Sequence, residues 1–131
     1  MAGVIVLDAG VLIAYLDGSD ANHDSAVQLL EREVDQELRA SPLSLAEVLV
    51  GPARAGRVDD AVAALRDLEI VEQPFPTDTA ARLAQLRAST SLRMPDCCVL
   101  LAAQGAPARV ASFDDALAKA AGGLGLDTVA S

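Results

Sequence analysis

Residues 3–17 read GVIVLDAGVLIAYLD. Val4 to Leu7 is a short aliphatic run rich in β-branched side chains, apolar on both faces, as a strand buried inside a parallel sheet requires. It stops at Asp8, and a second apolar segment, Val11 to Leu16, begins three residues later, predicting a short helix over 10–16. A carboxylate set between two apolar segments loses hydration, and no arginine or lysine lies nearby in the sequence to compensate it. Asp8 is therefore the first candidate functional residue.

The same alternation runs down the chain. Val27, Leu30, Val34 and Leu38 keep helical spacing through DSAVQLLEREVDQEL, with its charges on a solvated face. Leu38 to Ser41 suits a second strand, and SPLSLAEVLVGPARAG a helix stopped at Gly51-Pro52 or slightly beyond. RVDDAVAALRDLE is helical, Ile70-Val71 strand-like, and QPFPT a turn. TDTAARLAQLRAST predicts a helix capped by Thr77 or Asp78, and PDCCVLLAAQ a helix apolar nearly all round and hence buried. Arg109 to Ser112 is a strand, DDALAKAAGG a helix, and Leu126 to Ala130 a last strand. Short strands alternating with helices predict an α/β fold: three layers, with a central, mainly parallel sheet of about five short strands and helices on both faces.

Composition bounds the function. The 131 residues suit one domain spanning 1–131, and 52% apolar content excludes disorder. No apolar run reaches the ~18–20 residues that span a membrane, and the N-terminus lacks the marks of a signal peptide, so a cytoplasmic protein is expected. Cys97 and Cys98 are sequence neighbours and are expected to be reduced, buried hydrophobes; with one histidine, His23, a zinc site is not expected. The net charge of −9 opposes direct binding of nucleic acid, and three aromatic residues make no base-stacking platform. Nucleic-acid chemistry here requires a cation.

Asp8 has company. Glu47 lies in the apolar stretch LAEVLV, read as a first helical turn; Asp96 stands between Pro95 and an apolar helix; Asp114 follows the strand RVASF directly. All four fall at strand-to-helix joins or in first turns, and in a parallel sheet those joins share one edge, where ligands bind. Four convergent carboxylates repel one another unless a cation compensates them, and a hard Mg²⁺ or Mn²⁺ ion takes oxygen ligands. Each acid alone also fits a cap. Ser44-x-x-Glu47 matches a capping box, and Asp96 and Asp114 suit helix N-termini.

VLDAGVLIAYLD, SPLSLAEVLVG, RMPDCCVLLAA and RVASFDDAL, in this order and spacing, resemble the four acidic motifs of PIN-domain ribonucleases, in particular the VapC-type toxins of type II toxin–antitoxin pairs. The resemblance covers essentially the whole chain. It implies a Mg²⁺- or Mn²⁺-dependent endoribonuclease, a homodimer, and a small antitoxin whose basic C-terminal tail enters the acidic pocket. Carried over by motif, Asp8, Glu47, Asp96 and Asp114 are the acidic site residues. The chain departs from the pattern in two respects. Ala9 and Gly10 stand where the family often has Ser or Thr, which removes hydroxyl help near Asp8; and Asp115 follows Asp114, leaving two aspartates to choose between, of which Asp114 is favoured.

The expected chemistry is phosphodiester hydrolysis, with Asp8 and Asp96 holding the main metal and Glu47 and Asp114 acting directly or through water. Arg93 is the favoured phosphate contact, with Arg82 and Arg87 as further candidates. The dimer face is sought on the helix with Val58, Val62 and Leu65 or on that with Val48 and Leu49. Two other classes compete. Asp8-Ala9-Gly10 also looks like the haloacid-dehalogenase phosphatase motif, without its second aspartate; and an acidic, non-catalytic interaction module is the third reading.

Overall fold

The structure, a computed structural model, describes residues 3–106 and 108–129. In chain order the elements are β1 (Val4–Leu7), α1 (Ala9–Leu16), α2 (His23–Arg32), β2 (Glu37–Ala40), α3 (Pro42–Arg54) and α4 (Val58–Asp67). There follow β3 (Val71–Glu72), α5 (Thr79–Ser89), α6 (Met94–Gln104), β4 (Ala108–Ala111), α7 (Asp115–Gly123) and β5 (Thr128–Val129). The strands form one sheet in the order β3-β2-β1-β4-β5, and every neighbouring pair is parallel.

β1 is the centre of this sheet. Its Val4 lies opposite Glu37 on one side and Ala108 on the other, and its side chains alternate between two cores. Ile5 and Leu7 pack with Val11, Leu12, Leu29 and Val48 under α1 to α4, while Val6 packs with Cys97, Leu100, Leu101 and Leu117 under α5 to α7. Helices thus cover both faces, as the alternation predicted.

The winding fixes where a ligand can sit. From β1 the chain moves outward to β2 and β3 with its helices over the first face. It then returns over the second face to β4, on the opposite side of β1. The strand order reverses between β1 and β4, and the crevice beyond their carboxyl ends is the topological switch point.

Several boundaries differ from the sequence reading. The helix expected through residue 38 ends at Arg32, Val34 is left 73% exposed, and Leu38 lies in β2. Sheet pairing overrides the helical spacing here. The Gly3 N–H donates to the Gln36 side chain at 2.7 Å, and the Glu37 N–H donates to the Gly3 carbonyl at 2.8 Å, laying β2 along β1. Glu33, expected on a solvated face, pairs with Arg109 of β4 at 2.9 Å. α3 continues through Gly51-Pro52 to Arg54. β3 and β5 begin one and two residues later than expected, and Ala130 of the expected last strand lies outside the described residues. Val48 and Leu65, sought on a dimer face, are buried in the first core, so neither is available to a second subunit.

The entry to α3 is held by two buried serines. Ser41 is its N-cap; the Ser41 Oγ accepts the Ser44 N–H at 3.1 Å and donates to the Ser44 Oγ at 3.1 Å. Ser41→Ala leaves both Ser44 groups without this partner in a buried setting, and should lower unfolding stability by about 1–2 kcal/mol in urea denaturation, with an unchanged m-value.

Candidate functional site

Asp8 is the first residue beyond β1, and its N–H donates to the Ala111 carbonyl at 3.0 Å, extending the β1–β4 pairing by one step. It stands at the N-cap position of α1, yet its side chain makes no cap bond. Instead its Oδ2 accepts from the Ser112 Oγ at 2.8 Å, from 104 residues away. The Ser112 Oγ also accepts the Asp114 N–H at 3.0 Å, so its one proton is committed to Asp8. The hydroxyl missing at Ala9 and Gly10 is therefore supplied from the turn after β4.

Glu47 is the sixth residue of α3, in its second turn rather than its first. The cap of that helix is Ser41, so the Ser44-x-x-Glu47 capping box does not form and Glu47 caps nothing. Asp96 is in the first turn of α6, behind Arg93 at the N-cap position. Asp114 is the N-cap of α7: its Oδ1 accepts the N–H groups of Ala116 at 2.9 Å and Leu117 at 3.3 Å. For Asp114 the capping role is real. Both bonds fall on Oδ1, and Asp114, not Asp115, lines the cleft described next.

Asp8, Glu47, Asp96 and Asp114 surround one cleft of about 460 Å³ at the switch point, with Arg93 as its one basic lining residue among the described residues. Larger hollows lie elsewhere, along Leu30 to Leu38 and beside Arg82, away from these acids. Burial raises the pKa of Glu47 above the ordinary carboxylate value, the charges of Asp8 and Asp96 raise it further, and Arg93 opposes them. Asp96 is raised by burial and then by Asp8 and Asp114, again against Arg93. Among the described residues none of the four acids forms an ion pair. Repulsion in this cleft is only partly offset by protein charge.

An all-oxygen donor set of this kind fits a hard divalent cation. Among the described residues no three acidic, histidine or cysteine side chains gather around a single point as a metal cage. Mg²⁺ does not require one: it keeps several waters and commonly binds through one or two carboxylates, with the others acting through water. Of the other arginines, Arg82 leans on Asp78 at 3.9 Å and lines a different hollow, and Arg87 acts on Cys97. His23 places its Nδ1 2.8 Å from the Ala14 carbonyl, holding the end of α1. Cys97 and Cys98 are free and buried, and burial raises both thiol pKa values.

Four further lining residues were not found from sequence: Ile13, Asp20, Asn22 and Phe113. Asp20-x-Asn22 resembles a simple helix-entry turn, and the Asp20 Oδ1 does accept the Asn22 N–H at 2.8 Å. Ile13 is indistinguishable in the string from its buried neighbours. For Phe113 the only signal is its adjacency to Asp114, while Ser112 stands where the fourth motif of the resemblance often has Thr.

Comparison with known proteins supports the same reading of the fold. No curated protein matches by sequence. A chain of a toxin–antitoxin complex from Klebsiella pneumoniae shares 23% identity, with a TM-score of 0.75 and 96% of each chain covered. VapC20 of Mycobacterium tuberculosis, described as a sarcin-ricin loop cleaving toxin, shares 17% identity with a TM-score of 0.73, covering 88% of this chain and 94% of that one. VapBC2 of Rickettsia felis, solved bound to a promoter DNA fragment, shares 12% identity with a TM-score of 0.70, covering 96% and 97%. These likenesses are of fold. The family model of the PIN domain matches residues 5–123, which takes in every strand but the last and all four cleft acids, and the chain accordingly belongs to the PIN domain family.

Proposed function

We propose that this chain is a Mg²⁺- or Mn²⁺-dependent endoribonuclease and the toxin of a toxin–antitoxin pair. The observation that carries the reading is the convergence of four carboxylates, from four separate elements, on one cleft where two of them are held above their ordinary pKa by burial and mutual repulsion. An arrangement that costs stability without a cation is one that a cation completes.

Asp8 and Asp96 would hold the ion, with Glu47 and Asp114 joining directly or through water. A divalent ion there supplies a water of lowered pKa and positive charge for the phosphate. Ser112 orients the Asp8 carboxylate by donating to Oδ2. Arg93, at the rim beside Asp96, receives a phosphate oxygen of the RNA backbone. The haloacid-dehalogenase reading is displaced by the family assignment.

The partners follow from charge. One relative of like fold comes from a toxin–antitoxin complex, and an acidic cleft is a receptor for guanidinium, which binds carboxylates in bidentate fashion. A small antitoxin with a basic C-terminal tail fits this cleft and excludes RNA from it. A homodimer acting in the cytoplasm completes the proposal; among the described residues no helix is long and apolar enough to cross a membrane.

Purified protein should cut total RNA with Mg²⁺ or Mn²⁺ and not with EDTA, and Asp8→Ala or Asp96→Asn should slow cutting by at least about 100-fold. Undiminished metal-dependent cutting by Asp96→Asn would remove it from the site. Ser112→Ala should reduce activity by roughly 10–100-fold and weaken metal binding, while Ser112→Thr retains both.

The raised carboxylates fix the sign of a pH effect. Glu47 and Asp96 bind protons more tightly folded than unfolded, so their contribution to stability is full below the unfolded pKa and is lost as pH rises through the folded one. At neutral pH in EDTA, Glu47→Gln should therefore melt a few degrees above the native protein. Mn²⁺ should raise the melting temperature of the native protein more than that of the variant.

A further inference from the structure

The acids and Arg93 account for only part of the cleft. Ile13 is 38% exposed there, although its α1 neighbours Val11, Leu12 and Ala14 are buried. Phe113, between Ser112 and Asp114, lines the same space and is held from behind by the first core. These two side chains give the cleft an apolar wall that no carboxylate chemistry uses.

Asn22 is the second observation. It occupies the N-cap position of α2, where an asparagine ordinarily accepts a backbone N–H, yet its side chain makes no cap bond. Its backbone is fixed instead, by the N–H to the Asp20 Oδ1. The amide is thus left to serve the cleft, with one donor group and one acceptor.

We propose that this part of the cleft is a nucleobase subsite, in which Ile13 and Phe113 pack against the face of a base flanking the scissile phosphate and the Asn22 amide reads its edge. The inference rests on the nuclease reading above and adds a specificity determinant to it. An unstacked base offers an apolar face and a hydrogen-bonding edge, the two things this wall and this amide accept. The nearby Asp20 carboxylate only accepts hydrogen bonds. It favours bases with an exocyclic amino group and disfavours uracil, whose one edge N–H lies between two carbonyl oxygens.

The test uses short oligoribonucleotides that differ only in the bases flanking the cleavage point, with Mn²⁺ and the full chain. The native protein should discriminate about tenfold among the four bases at one flanking position, with uracil the poorest. Asn22→Ala, which removes the amide that holds the base edge against Asp20, should narrow that preference to about twofold and raise KM, with the melting temperature unchanged, since Asn22 caps nothing. Ile13→Ser should raise KM for all four bases alike. In the non-cleaving Asp96→Asn background, fluorescence anisotropy with the same oligonucleotides should rank the bases identically, and adding Asn22→Ala should erase the ranking. Cutting by the native protein without base preference, or a preference untouched by Asn22→Ala, overturns the subsite and leaves the nuclease standing. No cutting of any substrate by the metal-loaded native protein overturns both.

Discussion

β1 is paired along both edges and packed on both faces, so none of its four residues can present a functional group. The first position free to do so is the residue immediately past Leu7, and there the chain places Asp8. The Asp8 N–H is tied to Ala111 of the neighbouring strand, and its carboxylate to Ser112 one residue further on. The central strand pair thus fixes the carboxylate through two hydrogen bonds to the same segment. The cleft forms outward from this point.

The other acids arrive from both helical layers. Glu47 comes from α3 over one face and Asp96 from α6 over the other, and the two helices meet across the open end of the sheet. Glu47 has no capping role that would account for it, Asp96 accepts a backbone hydrogen bond from Arg93 at the start of α6, and burial and neighbouring carboxylates still oppose the ionisation of both. Asp114 does local work, closing the first turn of α7 with Oδ1. The overall charge of −9 means that long-range attraction does not bring a polyanion to this cleft. Whatever phosphate binds there is drawn by short-range contacts, with Arg93 and a cation the available positive groups.

Much of this was legible in the string. The buried strand ending at a lone carboxylate, the α/β alternation and the recurrence of acids at strand-to-helix joins were enough for the sheet and its functional edge, because each is a local pattern with one physical cause. The misreadings have causes too. Val34 and Leu38 continue the helical period of α2, but the pairing of Gly3 with Gln36 and Glu37 is a long-range demand that no local spacing expresses. Glu47 reads as a first-turn residue because two serines three residues apart, Ser41 and Ser44, can each cap a helix, and only the Ser44 N–H to Ser41 Oγ hydrogen bond of the folded chain shows that Ser41 does. Ser112 went unrecognised as a partner of Asp8 because a hydroxyl was sought next to Asp8 in sequence. Asn22 and Ile13 leave no mark, since exposure on a cleft is a property of the packed chain.

The separation of Asp8 from Ser112 and Asp114 also bears on when the cleft comes into being. Parallel pairing of the first strand with the fourth closes a loop of about a hundred residues, the kind of contact that forms late and slowly. During synthesis the half of the sheet from β1 to β3 can gather while the chain is still growing. Asp8 has neither its backbone acceptor nor its orienting hydroxyl until residues 111 and 112 have left the ribosome and β4 has docked. A growing chain on its own messenger therefore carries the first acid of the cleft for most of its elongation without carrying the cleft.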